Sequence, residues 1–117
     1  MVAGMAMPAS SSIDGVFKAL ADPTRRHVVA RLSRSPASVS ELAEPFEMAL
    51  PSFVEHLRVL EGCGLVTSQK AGRVRTYKLE TKRLRLAEDW LSQQRSLWEE
   101  RLDRLDAHAL SLKEKRS

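Results

Sequence analysis

From Lys82 to Lys113 the chain runs 32 residues without a glycine or a proline. Leu84, Leu91, Trp98, Leu105 and Leu112 recur there every seven residues, and Ala87, Trp90, Leu97, Leu102 and Ala109 widen the stripe. This spacing predicts one long amphipathic helix. At the α-helical rise it spans about 45 Å, more than one small domain covers. Two exposed tryptophans, Trp90 and Trp98, are costly in water. The stripe therefore reads as a symmetric seam between two copies rather than as a core helix of one. The residues expected in that seam are Trp90, Leu91, Leu97, Trp98, Leu102 and Leu105, with Phe17 and Leu20 from the first helix.

The remaining residues must supply a compact domain. At 117 residues, with 43 % hydrophobic and 29 % charged residues, the composition is that of one globular domain. Three divisions are expected: a loose arm over 1–11, a globular domain over 12–81, and the long helix with its tail over 82–117. In the arm, Met, Ala, Gly, Pro and Ser alternate without period. Ser11 or Ser12 is placed to cap a first helix, which carries Ile13, Val16, Phe17 and Leu20 on one stripe. Asp22-Pro23 starts a second helix, expected to run to about Arg34, because Asp caps and Pro at the first position loses no needed N–H. Ser38-Val39-Ser40-Glu41 has the spacing of a capping box. It predicts a third helix through Phe46, with a tight turn at Met48-Ala49. A fourth helix from Leu50-Pro51 to about Glu61 places Leu50, Phe53, Leu57 and Leu60 on one buried face. Gly64 is placed for a left-handed cap.

Then the period changes. Leu65–Gln69 and Arg73–Leu79 are β-branched and alternating, and they flank Lys70-Ala71-Gly72. They predict a β-hairpin that leans on the helices. The fold class expected is mainly α with a small β-hairpin.

Charge adds a location. The formal net charge is only +4. Residues 58–85, however, hold eight Lys and Arg against Glu61 and Glu80, a net +6 between two flanks of −1 each. Such clustering fits a patch for a polyanion. The patch covers the end of the fourth helix, the hairpin and the start of the last helix. Helices three and four followed by a basic hairpin form the order of a winged helix-turn-helix, in which an α-helix enters the DNA major groove and the hairpin reaches adjacent phosphates.

Other classes find little support. A lone Cys63 excludes an internal disulfide and a multi-cysteine zinc finger. The glycines form no phosphate-cradling loop, and no Ser/His/Asp or paired-carboxylate arrangement marks an enzyme. No apolar run reaches a membrane span, and residues 1–12 lack the basic start of a signal peptide. A reducing cytoplasm is the expected compartment.

The opposite face of the fourth helix carries Ser52 and Glu55, with His56 and Arg58 at its margins. Ser52 suits a phosphate or base contact, and Arg58 suits a phosphate or a guanine edge. Arg73 and Arg75 alternate with Val74 and are expected on one face of a strand, with Lys70 at the turn. Tyr77 is expected to pack, with its hydroxyl free for a phosphate. Glu55 meets phosphates unfavourably unless it accepts from a cytosine amino group or leans back onto Arg58. The expected DNA-facing set is therefore Ser52, Glu55, His56, Arg58, Lys70, Arg73, Arg75 and Tyr77. Glu55 also motivates a rival reading, a protein-interaction module that keeps the fold and has lost DNA binding.

Phe17-Lys18-Ala19-Leu20-Ala21-Asp22-Pro23-Thr24-Arg25-Arg26, Ser40-Glu41-Leu42-Ala43, His56-Leu57-Arg58-Val59-Leu60-Glu61, Gly64-Leu65-Val66 and Gly72-Arg73-Val74-Arg75-Thr76-Tyr77-Lys78-Leu79 together resemble the ArsR/SmtB family of small dimeric bacterial transcription regulators. The resemblance covers about residues 13–105. It implies a homodimer joined through first and last helices, operator binding by the fourth helix and wing, and repression relieved by an inducer. A two-fold dimer implies a palindromic operator. Ala49 and Val54 stand where the family often has serine, and Glu55 where it often has a basic or polar residue, so the operator is this chain's own.

The metal-sensing relatives place paired cysteines on the third helix, which here reads Glu41-Leu42-Ala43-Glu44-Pro45-Phe46. Their other site begins with Asp-x-His on the last helix. Asp106-Ala107-His108 matches that half, and no histidine follows. Two ligands make no tight tetrahedral zinc site. The tail Trp90-Leu91 and Trp98–Asp103 is similar to the subset without metal ligands, so neither metal nor cofactor is expected. Cys63 is expected to be a small buried residue.

Overall fold

The computed structural model describes residues 13–116, without the side chains of 115 and 116. The arm expected over 1–11 and the caps at Ser11 and Ser12 lie outside the described residues. Two compact units divide at Ala87 and Glu88. The first turns of the last helix thus belong with the winged-helix unit.

Helices α1 (Ile13–Leu20) and α2 (Pro23–Leu32) are followed by a two-residue strand β1 (Ala37–Ser38). The helix-turn-helix pair is α3 (Val39–Ala43) and α4 (Leu50–Gly62), and the wing is β2 (Val66–Ala71) and β3 (Val74–Leu79). Helix α5 runs from Thr81 to Arg116. Buried Val16, Val28, Leu42, Phe53, Leu57, Leu60, Leu65 and Val66 form the core of the first unit. Phe53 and Leu57 from α4 are fully buried, so the recognition helix is anchored by its own apolar stripe.

The local signals act as the residues dictate. Asp22 caps α2 by accepting from the Arg25 amide at 3.0 Å. Ser38 and Glu41 complete the capping box: the Ser38 amide donates to Glu41 Oε1 at 2.9 Å and the Glu41 amide to Ser38 Oγ at 3.2 Å. Helix α4 ends in a Schellman motif. The Leu65 amide donates to Leu60 O and the Gly64 amide to Glu61 O, each at 3.1 Å, with Gly64 at φ +84°.

Several expectations are corrected. Helix α3 stops at Ala43 rather than Phe46, because Pro45 has no N–H to continue the ladder; Phe46 instead packs against Phe53 at 5.4 Å. Helix α2 ends at Leu32 rather than Arg34. Leu50 is 55 % exposed: it shares a face with Phe53, Leu57 and Leu60 but sits at the first residue of the helix, a turn before the packed segment. Residues 35–37, read as a break, lead into β1. This strand pairs with β3 through Ala37↔Tyr77 and Ser38↔Thr76, so the sheet has three strands in the order β1-β3-β2. The hairpin loop is two residues, Gly72 and Arg73, since Ala71 pairs with Val74. Gly72, at φ +64°, supplies the positive φ that a type II′ turn needs at its first central position. Arg73 is therefore the second residue of the turn and does not share a strand face with Arg75, and Lys70, expected at the turn, stands within β2.

Candidate nucleic-acid interface

Helix α4 shows solvent the residues its buried stripe leaves over: Ser52, Glu55 and Arg58 are exposed. Arg58 Nη1 donates to Glu55 Oε1 at 3.2 Å, one helical turn apart. Glu55 thus leans back onto Arg58. Both side chains are well exposed, so the pair is worth at most about 1 kcal/mol and is easily opened by a stronger partner.

Between α4 and the wing lies a cleft of about 420 Å³ lined by Val39, Val54, Arg58, Glu61, Lys70, Arg73, Arg75 and Tyr77. Four cations face one carboxylate there. Lys70 is directly opposite Arg75 in the β2–β3 ladder, so their side chains leave the same face of the sheet. Like charges in that position repel. An anion held between them removes the penalty.

A hydrogen-bonded relay crosses from helix to wing. Arg75 Nη1 donates to Ser68 Oγ at 2.8 Å, and Ser68 Oγ donates to Glu61 Oε2 at 2.9 Å. One guanidinium donor is thereby committed, and the rest of the fork stays available for another acceptor. Tyr77 sits opposite Ser68 and is only 5 % exposed. Burial, and then the negative charge of Glu61, push its phenol above the ordinary value. Tyr77 is a core residue whose edge closes the cleft, which corrects the free hydroxyl expected of it.

His56 also has an inward partner. Its Nδ1 lies 3.1 Å from Arg25 Nη1 and 3.7 Å from Asp22 Oδ2. Arginine only donates, so Nδ1 accepts from Arg25. The Asp22 distance is too long for a hydrogen bond. Arg25, Pro51, Ser52, Glu55, His56 and Val59 line an open depression beside the start of α4.

The structure thus brings Arg58, Lys70, Arg73 and Arg75 together, places Ser52 on the outer face of α4, and sets His56 and Tyr77 behind that surface. Glu61 and Ser68 were missed by the sequence reading. Both lie within the basic window, but only the strand register shows that Ser68 stands between Glu61 and Arg75.

On α5 the residues expected in a seam are exposed: Trp90 46 %, Leu91 53 %, Leu97 58 %, Trp98 59 %, Leu102 51 % and Leu105 58 %. The Arg101 guanidinium lies 5.6 Å from the centre of the Trp98 ring, within cation–π range. Phe17 and Leu20 of α1 are half-buried against the core. Cys63 is buried, its thiol directed at Leu60 O at 3.3 Å. Among the described residues, no group of three or more His, Cys, Asp or Glu is placed to hold a metal. Nor is any described helix long and apolar enough to cross a membrane.

Comparison with known proteins places this architecture. A helix-turn-helix domain model matches residues 20–69. The HTH-type transcriptional regulator Rv2034 of Mycobacterium tuberculosis is 42 % identical over 69 residues, 59 % of this chain and 64 % of that protein. This chain therefore spans just under two thirds of that relative's length. The transcriptional repressor SdpR of Bacillus subtilis is 30 % identical over 79 residues, 68 % of this chain and 88 % of that protein. A crystal structure of an ArsR family transcriptional regulator superposes with a TM-score of 0.71 at 55 % identity, covering 74 % of this chain and 96 % of that one. These relatives are transcription regulators, not enzymes. With the helix-turn-helix and its basic wing in place, the chain belongs to the ArsR/SmtB family of winged helix-turn-helix transcription regulators.

Proposed function

We propose that this protein is a homodimeric repressor that binds a palindromic double-stranded operator in the cytoplasm and senses no metal. The observation that carries this reading is the cleft between α4 and the wing, where Arg58, Lys70, Arg73 and Arg75 converge and Lys70 opposes Arg75 across the ladder. The repulsion in such an arrangement is relieved by an anion, and a phosphate backbone supplies a row of them. Ser52 and Arg58 on α4 then face base edges and phosphates, while Lys70, Arg73 and Arg75 follow the backbone beside the groove. Glu55 either accepts from a cytosine amino group or stays with Arg58. The exposed apolar row of α5 supports a dimer, which sets two recognition helices about one DNA turn apart. Repression is supported by the relative SdpR, which is named a repressor. Metal independence is supported by α3, whose Val39–Ala43 carries no cysteine.

The test begins with selection of bound sequences from a random duplex library, followed by titration of the selected duplex at several salt concentrations. The reading expects a palindromic preference, affinity that falls steeply with salt, and no response to chelator or added zinc. Equal affinity for selected and random duplexes refutes it.

A further inference from the structure

Arg25 belongs to the Asp22-Pro23-Thr24-Arg25 motif, and the DNA-facing set gives it no role. Its side chain nevertheless makes three hydrogen bonds, to α1 and to α4. Nε donates to Ala19 O at 2.7 Å and Nη2 to Lys18 O at 3.2 Å, both carbonyls at the end of α1. Nη1 donates to His56 Nδ1 on α4 at 3.1 Å. The Arg25 amide, in turn, is the donor that Asp22 accepts from as it caps α2.

The chemistry suits a coupling element. The end of α1 is the negative pole of the helix; a guanidinium gives Ala19 O a partner, adds a second donor to Lys18 O beside the Ala21 amide, and reaches a third acceptor in a fixed planar fork. Three helices thereby meet at one rigid group: α1, α2 and the recognition helix. His56 precedes buried Leu57 and lies one turn along α4 from Ser52 and two residues before Arg58. A displacement of His56 is thus passed directly to the residues proposed to meet DNA. Binding constellations need their elements held within about 0.5 Å, and apolar packing through Phe53 and Leu57 leaves the rotation of α4 about its axis less constrained than a directional bond does.

We infer that Arg25 is a positioning residue for the recognition helix: it fixes α4 against α1 and α2 through His56 Nδ1 and so sets sequence preference without touching DNA. This rests on the DNA-binding reading above. The test uses the full chain and two probes, the duplex selected from the library and a random-sequence duplex of equal length. Arg25→Ala and His56→Leu are expected to lower the ratio of the two affinities about tenfold, the worth of one well-formed base contact, with random-duplex affinity nearly unchanged. His56→Asn, whose Oδ1 stands where Nδ1 stood and still accepts from Arg25, restores the ratio. Arg25→Lys does not, because one ammonium cannot span the three acceptors. A folded Arg25→Ala protein that keeps the wild-type ratio overturns the inference; if that variant fails to fold, a folded His56→Leu protein with the wild-type ratio overturns it equally. A wild-type ratio near one instead refutes the DNA-binding reading itself.

Discussion

Gly64 joins the recognition helix to the wing, and its replacement by alanine has a magnitude that follows from the geometry. Its φ is +84°, where a Cβ costs roughly 1–2 kcal/mol. A Cβ built there also meets Arg83 Cγ at 2.9 Å, Nε at 3.1 Å and Cδ at 3.4 Å. The Arg83 side chain must move, losing packing worth about another 1 kcal/mol. Gly64→Ala is therefore expected to destabilise by about 2–3 kcal/mol, lowering the thermal midpoint by about 10–20 °C in a domain of this size. Two glycines nearby serve as controls. Gly62 is helical and its added Cβ meets nothing within 4 Å, so Gly62→Ala should stabilise by about 0.5–1 kcal/mol. Gly72, at φ +64° with open space around it, should show the backbone cost alone, about 1–2 kcal/mol. Circular dichroism melts measure all three. A double-mutant cycle of Gly64→Ala with Arg83→Ala separates the steric part from the backbone part and should show coupling of about 1 kcal/mol. A Gly64→Ala protein as stable as wild type refutes the argument, as does a Gly62→Ala protein that loses more than Gly64→Ala.

Three further outcomes are expected. Arg73→Ala removes one phosphate partner per copy, so the slope of log affinity against log salt should become shallower by about 1 per copy; an unchanged slope takes Arg73 off the interface. Trp98→Glu places a charge in the apolar row of α5 and should shift the light-scattering mass from dimer towards monomer, whereas a monomeric mass for wild type sinks the seam. For Asp22, burial pushes the carboxyl's pKa up, but the Arg25 amide and the charges of His56 and Arg25 more than offset it, leaving the pKa below its ordinary value of 3.8. A depressed carboxyl contributes stability above its unfolded value and loses it as pH falls through the folded one. Asp22→Asn, which keeps the cap, should therefore flatten the fall of the urea midpoint below about pH 4; an unaltered acid limb contradicts this.

What could be read in advance follows the range of the forces involved. The Asp22 cap, the Ser38–Glu41 capping box and the glycine stop at Gly64 need only a few consecutive residues, and each forms as its spacing dictates. The heptad of α5 is equally local, and a helix over Thr81–Arg116 follows from it. A local stop signal outweighs the pattern around it: the sequence predicts α3 through Phe46, and the missing N–H of Pro45 ends it at Ala43. Leu50 shows the limit of a periodic pattern, which gives direction around a helix but not how far the core extends along it.

By itself, then, the sequence determined the order of the helices and the hairpin, the caps, the apolar face of α4, and the basic window that brackets the wing, because propensity, periodicity and charge are properties of neighbouring residues. Tertiary structure alone decided the pairings between distant ones. Strand β1 is two residues long and exists only because β3 offers it an edge. The register put Lys70 opposite Arg75 and moved Arg73 into the turn. Packing of α4 against α1 and α2 turned His56 towards Arg25 rather than outwards. Hydrogen bonds and strand pairs are directional over a few ångströms between groups far apart in the chain, so they are fixed only when the fold has closed.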